Sequence, residues 1–327
     1  MPSMAARRAN EQAAPSTHSS IDAAIRHVLA CYRDVAPDMP DVIAAILASR
    51  LYAEGPDAFG GSKLTGDGFP VEFAVSTADE TLRVTVEAGA RNLTTRQRLE
   101  LAISLIGSID ANALGEETLA LVRSIVQADT PPAYGAWIGL RFGGGARRAK
   151  LYAQIAPNGD PGLLPLRLPR LPDRPAIPRM IGCSARGIEL YLKLPSLLPA
   201  ELAAVLEPAG LAKSAREVLD FIENLYSHEI RGRLPGPSVG VSLAQASGQV
   251  CVTLFFFARS LWGADSRIRQ RFVQAAGVAW SGAHNYLEAT APIADREKWT
   301  TFHGLVGITL RTGAGPSLSI GFRPVSP

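Results

Sequence analysis

Ten short runs in which apolar and polar residues alternate, grouped as five close pairs, constrain this chain more than any other feature. A run with period two is a β-strand with one face buried, and two such runs joined by a short polar turn make a hairpin. The pairs are residues 71–76 with 82–87, 136–142 with 149–155, 180–184 with 188–194, 238–244 with 249–258, and 305–311 with 317–322. The first pair turns through Thr77 to Glu80, the second through Gly143-Gly144-Gly145.

Between the pairs, apolar residues recur every three or four positions, which is helical spacing. Ile21, Ala24, Ile25, Val28, Leu29 and Tyr32, then Val42, Ile43, Ile46 and Leu47, predict helices interrupted around Pro37 and Pro40. Thr94 with Gln97, and Ser214 with Glu217, are spaced as capping boxes that open further helices. Leu119, Val122 and Val126 mark one more helix, and residues 265–289 a last helical stretch. Only the connector from Pro157 to Pro178, with seven prolines, excludes a regular helix. The units recur about every 60 residues, except between the second and third, a weak internal repeat.

The outgoing strands carry their polar residues on one face: Arg83, Thr85 and Glu87; Lys150, Tyr152 and Gln154; Glu189, Tyr191 and Lys193. If helices cover the apolar faces, the polar faces point inward. The expected architecture is therefore α+β, a closed barrel of about ten antiparallel strands with a solvent-filled lumen, surrounded by helices. This inverts the usual small barrel, whose interior is filled with apolar side chains. Residues 1–20, basic but without an apolar core segment, are expected to be a disordered tail, and residues 21–327 a single domain.

Composition removes several classes of function. A net charge of +3 with no basic tract argues against nucleic acid, and no apolar run is long enough to span a membrane. Three scattered cysteines, Cys31, Cys183 and Cys251, lack metal spacing and fit a reducing, cytoplasmic setting. The triple glycine is not followed by Lys-Ser/Thr, no histidine lies in a zinc-binding spacing, and no Asp-rich metal motif or nucleophile elbow occurs.

Arg83 and Lys150 inside an enclosed lumen need partners, because an unpaired buried charge is costly. Either an anionic ligand supplies them, or Glu72, Glu87 or Glu189 does. The segment LTGDGFPVEFAVS followed by LRVTVE resembles the aromatic prenyltransferases of the dimethylallyltryptophan synthase type, whose ABBA (PT) barrel has ten antiparallel strands circled by helices. Pro70-Val71-Glu72 with Arg83 eleven positions on, and Lys150-Leu151-Tyr152, match that family's motifs. The next strand matches only at Tyr191, since Gly187 and Glu189 stand where basic residues are usual; Arg186 or Lys193 are candidates to substitute. Cys251, two residues after Gln249, and Gly321 occupy positions where tyrosines are common, which suggests a wider pocket. No lysine lies between Lys63 and Lys150, where related indole enzymes carry a proposed base.

The resemblance implies transfer of an isoprenyl group from a prenyl diphosphate, dimethylallyl or longer, to a small aromatic acceptor, indole-like or phenolic, without obligatory Mg²⁺ or another cofactor. Glu72 would orient the acceptor, Tyr152 and Tyr191 would shield the allylic cation, and Arg83, Lys150, Lys193 and Arg186 would hold the diphosphate. Trp137, Arg141, Gln249, Cys251, Thr253 and Gly321 complete the expected pocket lining. A monomer or homodimer with no membrane or nucleic-acid partner is expected; a non-catalytic barrel for an amphipathic aromatic or isoprenoid ligand is the alternative.

Overall fold

The computed structural model describes residues 17–35, 37–54, 61–66, 68–90, 92–126, 135–143, 148–155, 162, 164, 166–172, 175–246, 249–293 and 302–325. Its ten strands are β1 (Val71–Ser76), β2 (Asp79–Val86), β3 (Ala136–Phe142), β4 (Arg148–Gln154), β5 (Ile177–Ser184), β6 (Gly187–Pro195), β7 (Ser238–Ala246), β8 (Gln249–Phe257), β9 (His303–Arg311) and β10 (Ala314–Phe322). Each pairs antiparallel with its sequence neighbours, and β10 returns to β1, closing the barrel. All five hairpin turns therefore lie at one mouth, and all the longer connectors at the other.

The pleat sorts the side chains as the alternation requires. Val71, Phe73 and Val75 on β1 and Leu82, Val84 and Val86 on β2 are buried on the outer face, as are Leu190, Leu192 and Leu194 on β6. Burying each such side chain is worth about 1.5–3 kcal/mol, so the clasp of helices on sheet is the main source of stability. The helices are α1 (Thr17–Cys31), α2 (Met39–Glu54), α3 (Thr95–Ile109), α4 (Glu116–Ile125), α5 (Leu202–Leu206), α6 (Ala215–Tyr226), α7 (Ala258–Trp262), α8 (Asp265–Ala276) and α9 (Ala283–Ala289). Buried Leu99, Ala102 and Ile106 form the inner stripe of α3, which packs on β3 and β4. No helix among the described residues is long and apolar enough to cross a membrane.

Several expectations are corrected. The first turn is tighter than Thr77–Glu80: the strand resumes at Asp79, which puts that carboxylate on the lumen face of β2. Thr94 and Gln97 do form a reciprocal capping box. Ser214 does not, because a 3₁₀ turn over Ala212–Ser214 leads into α6 and leaves its hydroxyl without the capping bond. Helix α1 begins at Thr17, inside the stretch read as a tail; residues 1–16 lie outside the described residues, as do Gly144 and Gly145 of the glycine turn. The helical stretch 265–289 is two helices, broken at Gly277, whose φ of +79° suits glycine. Pro178 is accommodated in β5 at a shift of register.

Glu87 does not face the lumen cations. It pairs with Arg98 of α3 at 2.8 Å, both side chains 4% exposed, and accepts a hydrogen bond from Ser62. Arg98 also donates to the Ala90 carbonyl at 2.7 Å. This cluster pins the end of β2 to the helix outside it.

Candidate active site

Every lumen wall is built from one parity of each strand, so the register fixes which side chains meet. Glu72 lies opposite Thr85, Thr85 opposite Gly139, and Gly139 opposite Lys150. One rung toward the hairpin mouth, Ala74, Arg83, Arg141 and Arg148 form the next row. Tyr152, Gly182 and Glu189 make a third row across β4, β5 and β6.

Glycines in these rows clear room for their neighbours. A Cβ at Gly139 would sit 2.5 Å from the Tyr152 ring, and one at Gly182 2.5 Å from Cε of Lys150. Tyr152 and Lys150 therefore lie flat along the wall. At Gly321 and Gly304 an added Cβ would sit 2.7 and 2.5 Å from Glu72 Oε1. The register shifts here, so that Gly304 and Leu305 together face Gly321, a bulge directly beneath Glu72. The space left by Gly321 is thus filled by the Glu72 carboxylate. That corrects the expectation that a missing tyrosine there widens the pocket.

Lys150 already has an anionic partner within the chain. Its ammonium contacts the Glu189 carboxylate and donates to Tyr191 Oη at 3.1 Å. It lies 4.9 Å from the Tyr152 ring centre and 5.4 Å from that of Tyr191. Such cation–π contacts contribute about 0.5–2 kcal/mol each. Burial alone would lower the Lys150 pKa, but Glu189 overrides it and holds the amine above its usual range. The same contact, against its own desolvation, holds Glu189 below the usual carboxylate range. Tyr152 and Tyr191 meet edge to face at 5.8 Å, and Phe255 follows 6.1 Å from Tyr191, giving a continuous aromatic wall. Phe255 went unnoticed in the sequence, although it shares the parity of Cys251 and Thr253.

Glu72 is the opposite case. Desolvation, with no cation beside it, pushes its carboxyl up to about 7. It is only half-buried by contact, but the space it faces is itself deep within the barrel.

The remaining predicted residues divide by mouth. Arg141 contacts Asp79 and donates to Thr81 Oγ1 at 2.9 Å, while Arg83 lies 3.5 Å from Asp79. Arg186, exposed, stands just beyond β5 at the hairpin mouth. Lys193 is exposed near the connector mouth, four residues past Glu189, and pairs in register with Ile177 and Gly240. It does not join Arg83. Gln249 is exposed at the hairpin mouth, Cys251 bonds weakly to the Ala244 carbonyl at 3.6 Å, and Thr253 shares a hydrogen bond with Thr309 at 3.0 Å. Trp137 is half-buried on the lumen face of β3, opposite Tyr152. Among the described residues no three His, Cys, Asp or Glu side chains gather as a metal site.

Two clefts carry none of the predicted site residues: one of about 710 Å³ beside Arg167, Leu168, Arg170, Ala204 and Glu207, and one of about 130 Å³ beside Tyr32, Val75, Thr81 and Trp280. The ionisable and aromatic groups converge in the lumen instead.

Neither a protein-family model nor a curated protein matches the sequence. Solved structures do match its fold. A 6-dimethylallyl tryptophan synthase is 17% identical with a TM-score of 0.74, covering 96% of this chain and 98% of its own. A 6-dimethylallyltryptophan synthase from Micromonospora olivasterospora, in complex with DMASPP and Trp, is 20% identical with a TM-score of 0.73, covering 94% and 99%. A 5-dimethylallyl tryptophan synthase from Streptomyces coelicolor, also in complex with DMASPP and Trp, is 15% identical with a TM-score of 0.72, covering 94% and 95%.

Proposed function

We propose, for a barrel that shares its fold with these synthases, that the lumen joins an isoprenyl group from a prenyl diphosphate to an electron-rich aromatic acceptor, indole-like in preference to phenolic. The observation that supports this reading is the wall of Tyr152, Tyr191 and Phe255, which already carries a cation, the Lys150 ammonium, against its faces. An allylic cation needs such a surface, and an enclosure that keeps water away from it.

In the proposed reaction the C–O bond of the donor breaks heterolytically and the diphosphate leaves with both electrons, drawn by guanidinium charge at the Arg83 end of the lumen. A ring carbon of the acceptor attacks the allylic carbon, and the proton on that ring carbon then passes to the released diphosphate, restoring aromaticity. Glu72, poised near neutrality, accepts a hydrogen bond from the acceptor's N–H or O–H. That orients the ring and raises its electron density during attack.

The test is direct. Incubation of the protein with five-, ten- and fifteen-carbon prenyl diphosphates and a panel of indoles, tryptophan and phenols, followed by mass spectrometry, should give an acceptor heavier by one isoprenyl group. Turnover should survive EDTA. Absence of product from every pair, with the ligands nonetheless bound, would replace this reading by that of a binding barrel.

A further inference from the structure

Arginine side chains stand directly opposite one another on three consecutive strands. Arg83 on β2 pairs in register with Arg141 on β3, and Arg141 with Arg148 on β4, all facing the lumen. Across β4 and β5 Leu151 stands opposite Cys183; the same register carried three residues on, past the end of β5, brings Arg186 to the row at Arg148, and its charge acts on Arg141. Like charges placed directly opposite across strands repel, and a sheet accumulates them only where something else compensates.

The compensation within the chain is incomplete. Asp79 is the carboxylate in contact with this row, and it serves both Arg141 and Arg83. Arg83 Nε is buried without a hydrogen-bond partner. Burial and then the charges of Arg83, Arg186 and Arg148 push Arg141 down to about 10, in spite of Asp79. Lys150, by contrast, is already neutralised by Glu189.

We propose that the row Arg83, Arg141 and Arg148, extended at the turn by Arg186, is the seat of a phosphate-bearing anion, and that Lys150 takes no part in holding it. Resting on the prenyl-transfer reading, the assignment makes this anion the donor's diphosphate. Its oxygens present several acceptors to planar guanidinium forks, which bind them bidentately and complete the hydrogen bonding of Arg83. The row lies two residues, about 7 Å along the strands, nearer the hairpin mouth than Lys150. The leaving group would thus depart toward that mouth, with the aromatic wall deeper inside.

The experiment is calorimetric titration of the full chain with inorganic pyrophosphate at fixed ionic strength, repeated with dimethylallyl diphosphate. Folding of each variant is checked by thermal melting. Each lost charge-assisted contact should weaken binding about tenfold or more in Arg141→Ala and in the milder Arg148→Gln. The double variant Lys150→Met/Glu189→Leu, which removes the pair together and leaves the net charge of the lumen unchanged, should stay within about twofold of the unaltered protein, and Asp79→Asn, which frees the row, should bind more tightly. Lys150→Met/Glu189→Leu weakening pyrophosphate as much as Arg141→Ala, or no binding by the folded protein, would overturn the assignment; so would donor binding indifferent to the arginine variants. If the row binds both anions while no aromatic acceptor is alkylated, the row stands and prenyl transfer falls.

Discussion

Glu72 and Gly321 stand so close across the β1–β10 pair that a Cβ at position 321 would lie 2.7 Å from the carboxylate oxygen Oε1. The glycine is there for the room it leaves, since its backbone angles are ones any residue adopts. Gly321→Ala is expected to push the carboxylate into the lumen and weaken acceptor binding, and Gly321→Tyr to abolish it. Shortening the acid in Gly321→Ala/Glu72→Asp should recover part of the loss. Acceptor affinity measured by calorimetry, with donor affinity as the unchanged control, checks this.

Glu72 also makes stability depend on pH. Its folded value, about 7, is raised above the ordinary 4.5, so its contribution is fully present below about 4.5 and is lost as pH rises through 7. Replacing it by Gln should stabilise the ligand-free protein at pH 8 by up to about 3 kcal/mol. The gain should vanish below pH 5. Thermal melts of both proteins across that range decide the matter.

The Lys150–Glu189 contact predicts strong coupling. Glu189→Leu strands an ammonium in the lumen and should cost about 3 kcal/mol, whereas Lys150→Met/Glu189→Leu should restore most of that. A double-mutant cycle by denaturant unfolding measures it.

A second buried network lies outside the barrel wall. Asp265 at the start of α8 accepts from His303 Nδ1 at 2.7 Å and from the amides of Phe302 and His303, and His303 Nε2 meets Tyr286 Oη at 2.9 Å. With a carboxylate on one side and a hydroxyl on the other, the ring is held neutral with its proton on Nδ1. Desolvation lowers the pKa of His303; Asp265 is lowered too, its hydrogen bonds from His303 and Phe302 outweighing desolvation. Both depressed groups give stability that is present above their unfolded values and is lost as pH falls. Stability should therefore be lower at pH 4 than at pH 7, and Asp265→Asn should flatten that dependence while lowering stability at pH 7 by about 2 kcal/mol, as denaturant unfolding at the two pH values would show.

Much of this architecture was legible because its strands obey a period of two and its connectors a period near 3.6. The alternation in β2, β4 and β6 correctly placed Arg83, Lys150, Tyr152 and Tyr191 on an inner face. Contacts set by register were hidden. Nothing local told that Arg141 and Arg148 would stand in line with Arg83, or that Asp79 would join the strand. The sequence offered Glu189 as one of three partners for the lumen cations; only folding selected it for Lys150 and sent Glu87 to Arg98. The Asp265–His303 bond spans 38 residues and leaves no pattern at all.

Joining β1 to β10 ties together segments about as distant as the fold allows. Until β10 is made, a growing chain displays two unpaired sheet borders and a wide apolar skin, the surfaces on which nascent proteins clump. Synthesis should therefore pass through a vulnerable interval that ends only when the last strand docks, and any truncation that removes β10 should yield aggregate in place of a smaller folded product.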